Sequence, residues 1–242
     1  MPSDKKNPPQ KELSVQIAEE IKSAIINGTL IVDERLPSEA ELCTQFDVSR
    51  PTVREALKRL AAQNLIRTRR GASGGAFVRR LSYGDAYANQ IVTSTLLLSM
   101  NDVDFETACE ARFALERACV ALSAERRTGD HLATMRAEIH RQGQAGLSDE
   151  AFCASDVAFH RALVDGADNP VLSYQLAGAI EAIEPLMNMI TFSARDRARI
   201  VALHTEIADA IEAGNADQAN TTLENLRAYT VELYQQVRRK RG

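Results

Sequence analysis

The stretch FDVSRPTVREALKRLAAQNLI, residues 46–66, crowds a serine, two arginines and a proline onto the front of what is otherwise a packed helix. Ser49 is a suitable N-cap, and Pro51 falls in the first turn, where a missing N–H costs nothing. Val53, Ala56, Leu57, Leu60 and Ala61 recur at helical spacing, so this face is expected to meet a core. Arg50, Thr52 and Arg54, with Lys58 and Arg59 behind them, are left for solvent or a partner. Upstream, LPSEAEL (36–42) pairs Ser38 with Glu41 as a capping box and opens a short helix through about Phe46. Before it, Leu13 to Asn27 carries apolar residues at helical spacing and Gly28 closes the segment. Downstream, LIRTRR and AFVRR read as two short strands around GASGG (71–75), a hairpin with a flexible basic tip. Helix, helix, turn, helix and a two-stranded wing is the plan of a winged helix-turn-helix.

Charge is distributed unevenly along the 242 residues, whose formal total is -4. Residues 1–80 hold 14 Lys and Arg against 10 Asp and Glu; residues 47–80 alone hold nine cations against Asp47 and Glu55. Such a local excess is expected of a surface that meets phosphate. A second helix of a helix-turn-helix presents its first residues to the major groove, where an arginine can grip guanine through O6 and N7. Arg50 and Arg54 lie one turn apart and can project from the same end. The wing adds Arg69 and Arg70. GASGG lacks the spacing of a phosphate-cradling loop and precedes a strand, not a helix.

The chain length favours two domains, each with its own core. The expected division is a disordered tail over 1–12, a DNA-binding domain over 13–80, and a second domain over 81–242. From Tyr83 onward the pattern is helical, with breaks near 101–104, 128–130, 146–149, 166–170, 193–196 and 214–217. Six breaks give about seven helices, and short connections imply an all-α antiparallel bundle. Cys43, Cys109, Cys119 and Cys153 are scattered, which suits a reduced cytoplasmic protein. The N-terminus lacks the apolar run of a signal peptide, and IVTSTLLLSM (91–100) is too short to span a bilayer, so no membrane partner is expected.

Within the bundle, Asp156 and His160 are spaced i, i+4, which places both on one helix face; this suits two ligands for one metal, and also a surface pair. His204 shares a face with Ile200, Ile207, Ala208 and Ile211, as a core histidine or a ligand would. Arg112 stands between Glu110 and Glu116, either of which could pair with it within the helix. His131 and His140 take no role, and the terminal RRKRG suits the end of a helix dipole.

LPSEAEL, VSRPTVREALKRL and GGAFV together resemble the DNA-binding domain of GntR-family transcription regulators. The resemblance implies that DNA is contacted by Ser49, Arg50, Thr52, Arg54 and the wing residues Arg70 and Gly71. Residues 83–240 are similar to the FCD effector domain of the FadR-type branch, through Arg112, Asp156, His160, Asn169 and His204. That similarity implies a divalent metal such as Zn or Ni on Asp156, His160 and His204, with Arg112 and Asn169 binding a small carboxylate effector. The family's last histidine is missing: its place falls on or beside Leu226, and Asn225 could fill it if the register shifts. The resemblance further implies a homodimer on palindromic operator DNA, repressing a catabolic or transport operon until the effector releases it. It implies no enzyme. Two alternatives remain, a metal-dependent hydrolase fused to a DNA-binding head and a bundle that only dimerises.

Overall fold

The structure, a computed structural model, describes residues 10–71, 74–100, 103–183 and 194–241. It divides into two compact units, Met1–Asp85 and Ala86–Gly242, each with a separate apolar core.

The first unit opens with α1 (Gln10–Ile26), which begins three residues before the expected helix and takes Gln10 to Glu12 out of the expected disordered tail; residues 1–9 lie outside the described residues. Gln, Lys and Glu are good helix formers, so nothing local opposes the earlier start. α2 (Glu39–Phe46) carries the expected capping box: Ser38 Oγ accepts from the Glu41 amide, and the Ser38 amide donates to Glu41 Oε2 at 2.7 Å. Asp47 then adopts a left-handed conformation that turns the chain sharply into α3 (Arg50–Ala62).

Val53, Ala56 and Leu60 of α3 are fully buried and meet Ile17 and Ile21 of α1 and Leu42 of α2 in one core. Leu57 packs at its edge, but Ala61 is exposed, because the buried arc of α3 is narrower than the apolar stripe. The wing is antiparallel, β1 (Ile66–Arg69) against β2 (Gly75–Val78), with Ile66 opposite Val78 and Arg69 opposite Gly75. The other edge of β2 pairs with the backbone before α2: the Leu36 amide donates to Ala76 O and the Val78 amide to Glu34 O. The wing is thereby tied to the start of the helix-turn-helix. Gly74 is required at its tip, since a Cβ there would lie 2.5 Å from the Arg69 carbonyl oxygen. The expected flexible tip falls partly on residues 72–73, outside the described residues.

The helices that follow are α4 (Tyr83–Met100), α5 (Phe105–Arg126), α6 (Gly129–Gln142), α7 (Asp149–Asp165), α8 (Pro170–Ile180), α9 (Arg197–Glu212) and α10 (Ala216–Arg241), seven among the described residues. The protein is mainly α, with a winged helix-turn-helix followed by a helical bundle. Side-chain caps fix the starts of α5, α6, α7 and α9 through Asp104, Thr128, Ser148 and Asp196. His131 has a structural task, since its Nδ1 accepts from the Thr128 amide at 3.1 Å. α8 stops at Ile180, well before the expected break at 193–196; residues 184–193 lie outside the described residues. Among the described residues no helix is long and apolar enough to cross a membrane.

Leu60→Ala should lower the stability of the first unit by about 2 to 5 kcal/mol, as expected for a cavity in a closed core. Ser38→Ala should cost about 1 kcal/mol through loss of the cap. Urea unfolding of both variants, followed by helical circular dichroism, checks the order.

Candidate functional site

Two groups of polar side chains are candidates for function. The first is at the front of α3 and on the wing. Arg50 is exposed at the first position of α3, and Arg54, one turn on, is 62% exposed with Nε 2.9 Å from Glu39 Oε2 of α2. Thr52 departs from the sequence expectation: it is 2% exposed, and its hydroxyl lies 2.9 Å from Ser49 Oγ. Ser49 holds the N-cap position but makes no side-chain capping hydrogen bond. Arg70 and Gly71 are exposed at the wing tip. Arg67 is held by Asp33 at 2.6 Å, and Arg69 lies over the Phe77 ring at 5.1 Å, so the wing has fixed as well as exposed cations.

The second group is inside the bundle, where four helices each contribute. Arg112 and Glu116 fall on the buried stripe of α5, Asp156 and His160 on one face of α7, His204 on α9 and Gln142 at the end of α6. All but Asp156, which is 15% exposed, are essentially closed to solvent. Asp156, His160 and His204 each offer a ligand atom, and these atoms lie within 4.8 Å of one another. Phe159 stacks on His204 with ring centroids 4.1 Å apart, and Phe113 meets His160 edge-on.

Of the two arrangements left open for Arg112, the helical ion pair is present: Nε lies 3.1 Å from Glu116 Oε1, with Nη2 3.8 Å from Asp156 Oδ2. Glu110 is exposed and takes no part in it. The other oxygen of Glu116 sits 3.1 Å from His160 Nδ1. Gln142 Oε1 lies 2.8 Å from His204 Nδ1, whose Nε2 is 3.5 Å from Asp156 Oδ1. The Nε2 atoms of His160 and His204 are buried without a hydrogen-bond partner.

These contacts set the charges. Burial pushes the Asp156 and Glu116 carboxyls up, but the cluster outweighs it and holds both below the usual range: His160, His204 and Arg112 act on Asp156, and His160 and Arg112 act on Glu116. Burial dominates at His204 and brings its pKa to about 3, against the pull of Asp156.

Two sequence expectations, those for Asn169 and Asn225, meet a different setting. Asn169 caps α8, its Oδ1 accepting from the Val171 and Leu172 amides at 3.1 and 3.2 Å. Leu226 is buried in the core, while Asn225 is exposed and lines a groove of about 720 Å³ between α5 and α10. Asn225 therefore faces away from the core and does not stand in for the missing histidine. Glu116 and Gln142 had no site role in the sequence analysis. Their signal was position: each is polar on a buried helical stripe, Glu116 after Arg112 and Phe113, Gln142 two turns after Met135.

Residues 13–78 match the model for bacterial regulatory proteins of the gntR family, and residues 107–228 match the FCD domain. The chain belongs to the GntR family. It is 30% identical over 226 residues to an Escherichia coli K12 protein named for regulation of the L-lactate dehydrogenase operon, covering 88% of this chain and 83% of that one. It is 32% identical over 166 residues to the galactonate operon transcriptional repressor of the same organism, covering 66% and 69%. A Streptococcus agalactiae GntR structure, 24% identical, shares the fold with a TM-score of 0.55 over 92% of this chain and 99% of its own. GntR-family proteins are DNA-binding transcriptional regulators and not enzymes, which removes the hydrolase alternative.

The buried charges predict acid lability in EDTA-treated protein. His204 is neutral in the fold but takes up a proton in the unfolded chain below about pH 6.5, and both carboxylates are protonated more readily when unfolded. The unfolded state thus binds more protons, and stability present above pH 6.5 is lost as pH falls toward 3. Urea midpoints should fall between pH 7 and 4, and His204→Gln should flatten the upper part of that fall.

Proposed function

We propose that this GntR-family regulator is a metal-holding, effector-responsive repressor, acting as a homodimer on palindromic operator DNA. What carries the reading is one buried cluster, Asp156, His160 and His204 beside Arg112, in a chain whose other unit exposes Arg50 and Arg54 at the front of α3.

The residues fit a divalent cation such as Zn or Ni. Two buried imidazole nitrogens without hydrogen-bond partners converge with a carboxylate kept ionised, a donor set of the type such ions take. Asp156, His160 and His204 would hold it, and the cation would supply a positive centre for an anionic ligand. Three protein ligands leave a position for that ligand. Arg112 is the natural second contact, because a planar guanidinium already beside Asp156 can share its fork with a carboxylate. Asn169 is assigned to the effector on the family resemblance alone, and its capping bonds make it the weaker member. The carboxylate class draws on the relatives' names, since lactate and galactonate are both acids, and the galactonate regulator is named a repressor.

At the head, Arg50 and Arg54 would meet base edges or phosphates, with Arg70 and Gly71 of the wing on the adjoining groove. Ser49 and Thr52, whose hydroxyls pair, would serve the backbone around the front of α3 more than a base. Two-fold symmetry suits a palindromic operator, and the exposed Val92, Leu96 and Met100, one turn apart on α4, offer apolar surface for a second copy. A metabolite that favours the DNA-incompetent arrangement by about 2.7 kcal/mol would release the operator about 100-fold.

Elemental analysis of untagged protein purified without added metal should give near-stoichiometric metal, lost in an Asp156→Ala, His160→Ala double variant; no metal in the wild type would refute that part. Arg54→Ala should weaken operator binding by about 1 to 3 kcal/mol if it reads a base, and evenly across sequences if it holds a phosphate. Unchanged affinity in a fluorescence anisotropy titration would remove Arg54 from the interface.

A further inference from the structure

A histidine can bind metal through only one ring nitrogen at a time, and which one is set by what the other nitrogen meets. In this cluster His204 Nδ1 meets a buried acceptor in hydrogen-bonding geometry, whereas His160 Nδ1 lies close to a buried carboxylate oxygen without making that hydrogen bond. Gln142 Oε1 is 2.8 Å from His204 Nδ1, and Glu116 Oε2 is 3.1 Å from His160 Nδ1. Both Nε2 atoms are buried with no hydrogen-bond partner, and that of His204 is directed at Asp156. Gln142 is 2% exposed and Glu116 fully buried, so water does not compete for either contact.

We infer that Gln142 is a positioning residue of the cluster: it holds His204 in the Nδ1–H form, so that the ring presents its Nε2 lone pair beside Asp156. The inference rests on the metal-holding reading above and extends it to a residue of α6, a helix that supplies none of the proposed metal ligands. Glu116 lies between two members of the cluster, because its other oxygen takes the Arg112 guanidinium at 3.1 Å. One carboxylate thereby spans the proposed effector arm and a proposed metal ligand. Gln142 sets the tautomer of the ring it faces. Its amide has two ends: with Oε1 toward His204 the ring must carry its proton on Nδ1, whereas the reversed amide would place NH₂ there and move the proton to Nε2, closing that atom to metal.

Two measurements on the full chain test this. The first is nitrogen-15 NMR of the His204 ring in EDTA-treated protein at pH 7.5, which needs no bound metal. Protonated Nδ1 and bare Nε2 are expected in the wild type, with that preference lost in Gln142→Ala; the reverse tautomer in the wild type overturns the inference. The second is Zn titration against a competing chromophoric chelator. Gln142→Ala should bind about 10- to 100-fold more weakly, and Gln142→Glu, which keeps an acceptor facing Nδ1, should recover most of the loss. Thermal melting of each metal-free variant separates these effects from misfolding. Affinity unchanged in Gln142→Ala, or equally lost in Gln142→Glu, overturns the positioning role while leaving the metal reading intact. A wild type that binds no Zn removes both.

Discussion

A guanidinium, two carboxylates and two imidazoles share the interior of one helical bundle, and they can stay there only while paired. An isolated buried charge costs far more than a single contact returns, so each ionised group needs a partner of opposite sign or a strong donor. Arg112 has Glu116 and Asp156, and Glu116 has Arg112 and His160. His204 avoids the problem by remaining neutral. This constraint assigns the helices their places: α5 brings the Arg–Glu pair, α7 the Asp–His pair, α9 the second ring and α6 the amide that orients it. Removing Arg112 would leave two buried carboxylates without their guanidinium, so that cation secures the bundle whatever else it does.

The head works under the opposite constraint. Its cations are exposed, and their partners are held weakly. Arg54 and Glu39 form a pair 62% and 41% exposed, of the kind that contributes between nothing and about 1 kcal/mol. Exchanging Glu39 for a phosphate or a base edge therefore costs the protein little, while the α3 backbone carrying Arg54 is fixed by the core through Val53, Ala56 and Leu60. Rigid backbone with loosely held cations suits a surface that must bind and release. Further out, Arg67 is paired with Asp33 and Arg69 lies over Phe77, while Arg70 is exposed beside Gly71.

Much of this was legible in the residues because it rests on local rules. The capping box at Ser38 and Glu41, the proline in the first turn of α3 and the i, i+4 pair on α7 each depend on spacing within one element. What stayed hidden depends on how elements meet. Thr52 reads as a groove-facing hydroxyl until the burial of that side of α3 turns it toward Ser49. Glu116 reads as a surface partner for Arg112 because an i, i+4 Arg–Glu pair is common on exposed helices; only the packing of α7 against α5 encloses it. Gln142 carries no charge and belongs to no motif. Asn225 and Leu226 are adjacent, so their roles turn on helix phase, and a 100° rotation decides which one faces the core.

The buried charges also bear on how metal and effector would depend on one another. Arg112, Glu116 and Asp156 together carry one net negative charge. A carboxylate brought to that site alone would meet like charge in a poorly solvated interior, where repulsion is weakly screened. A divalent cation held by Asp156, His160 and His204 would reverse the sign and give a carboxylate a positive centre with Arg112 beside it. On the proposed reading the two bind cooperatively, and by linkage the effector tightens the cation as much as the cation tightens the effector. On the same reading the leucine at position 226 would contribute to this dependence: without a fourth imidazole there, the cation would be held by fewer protein donors, and a larger share of its coordination would be left for the regulating ligand.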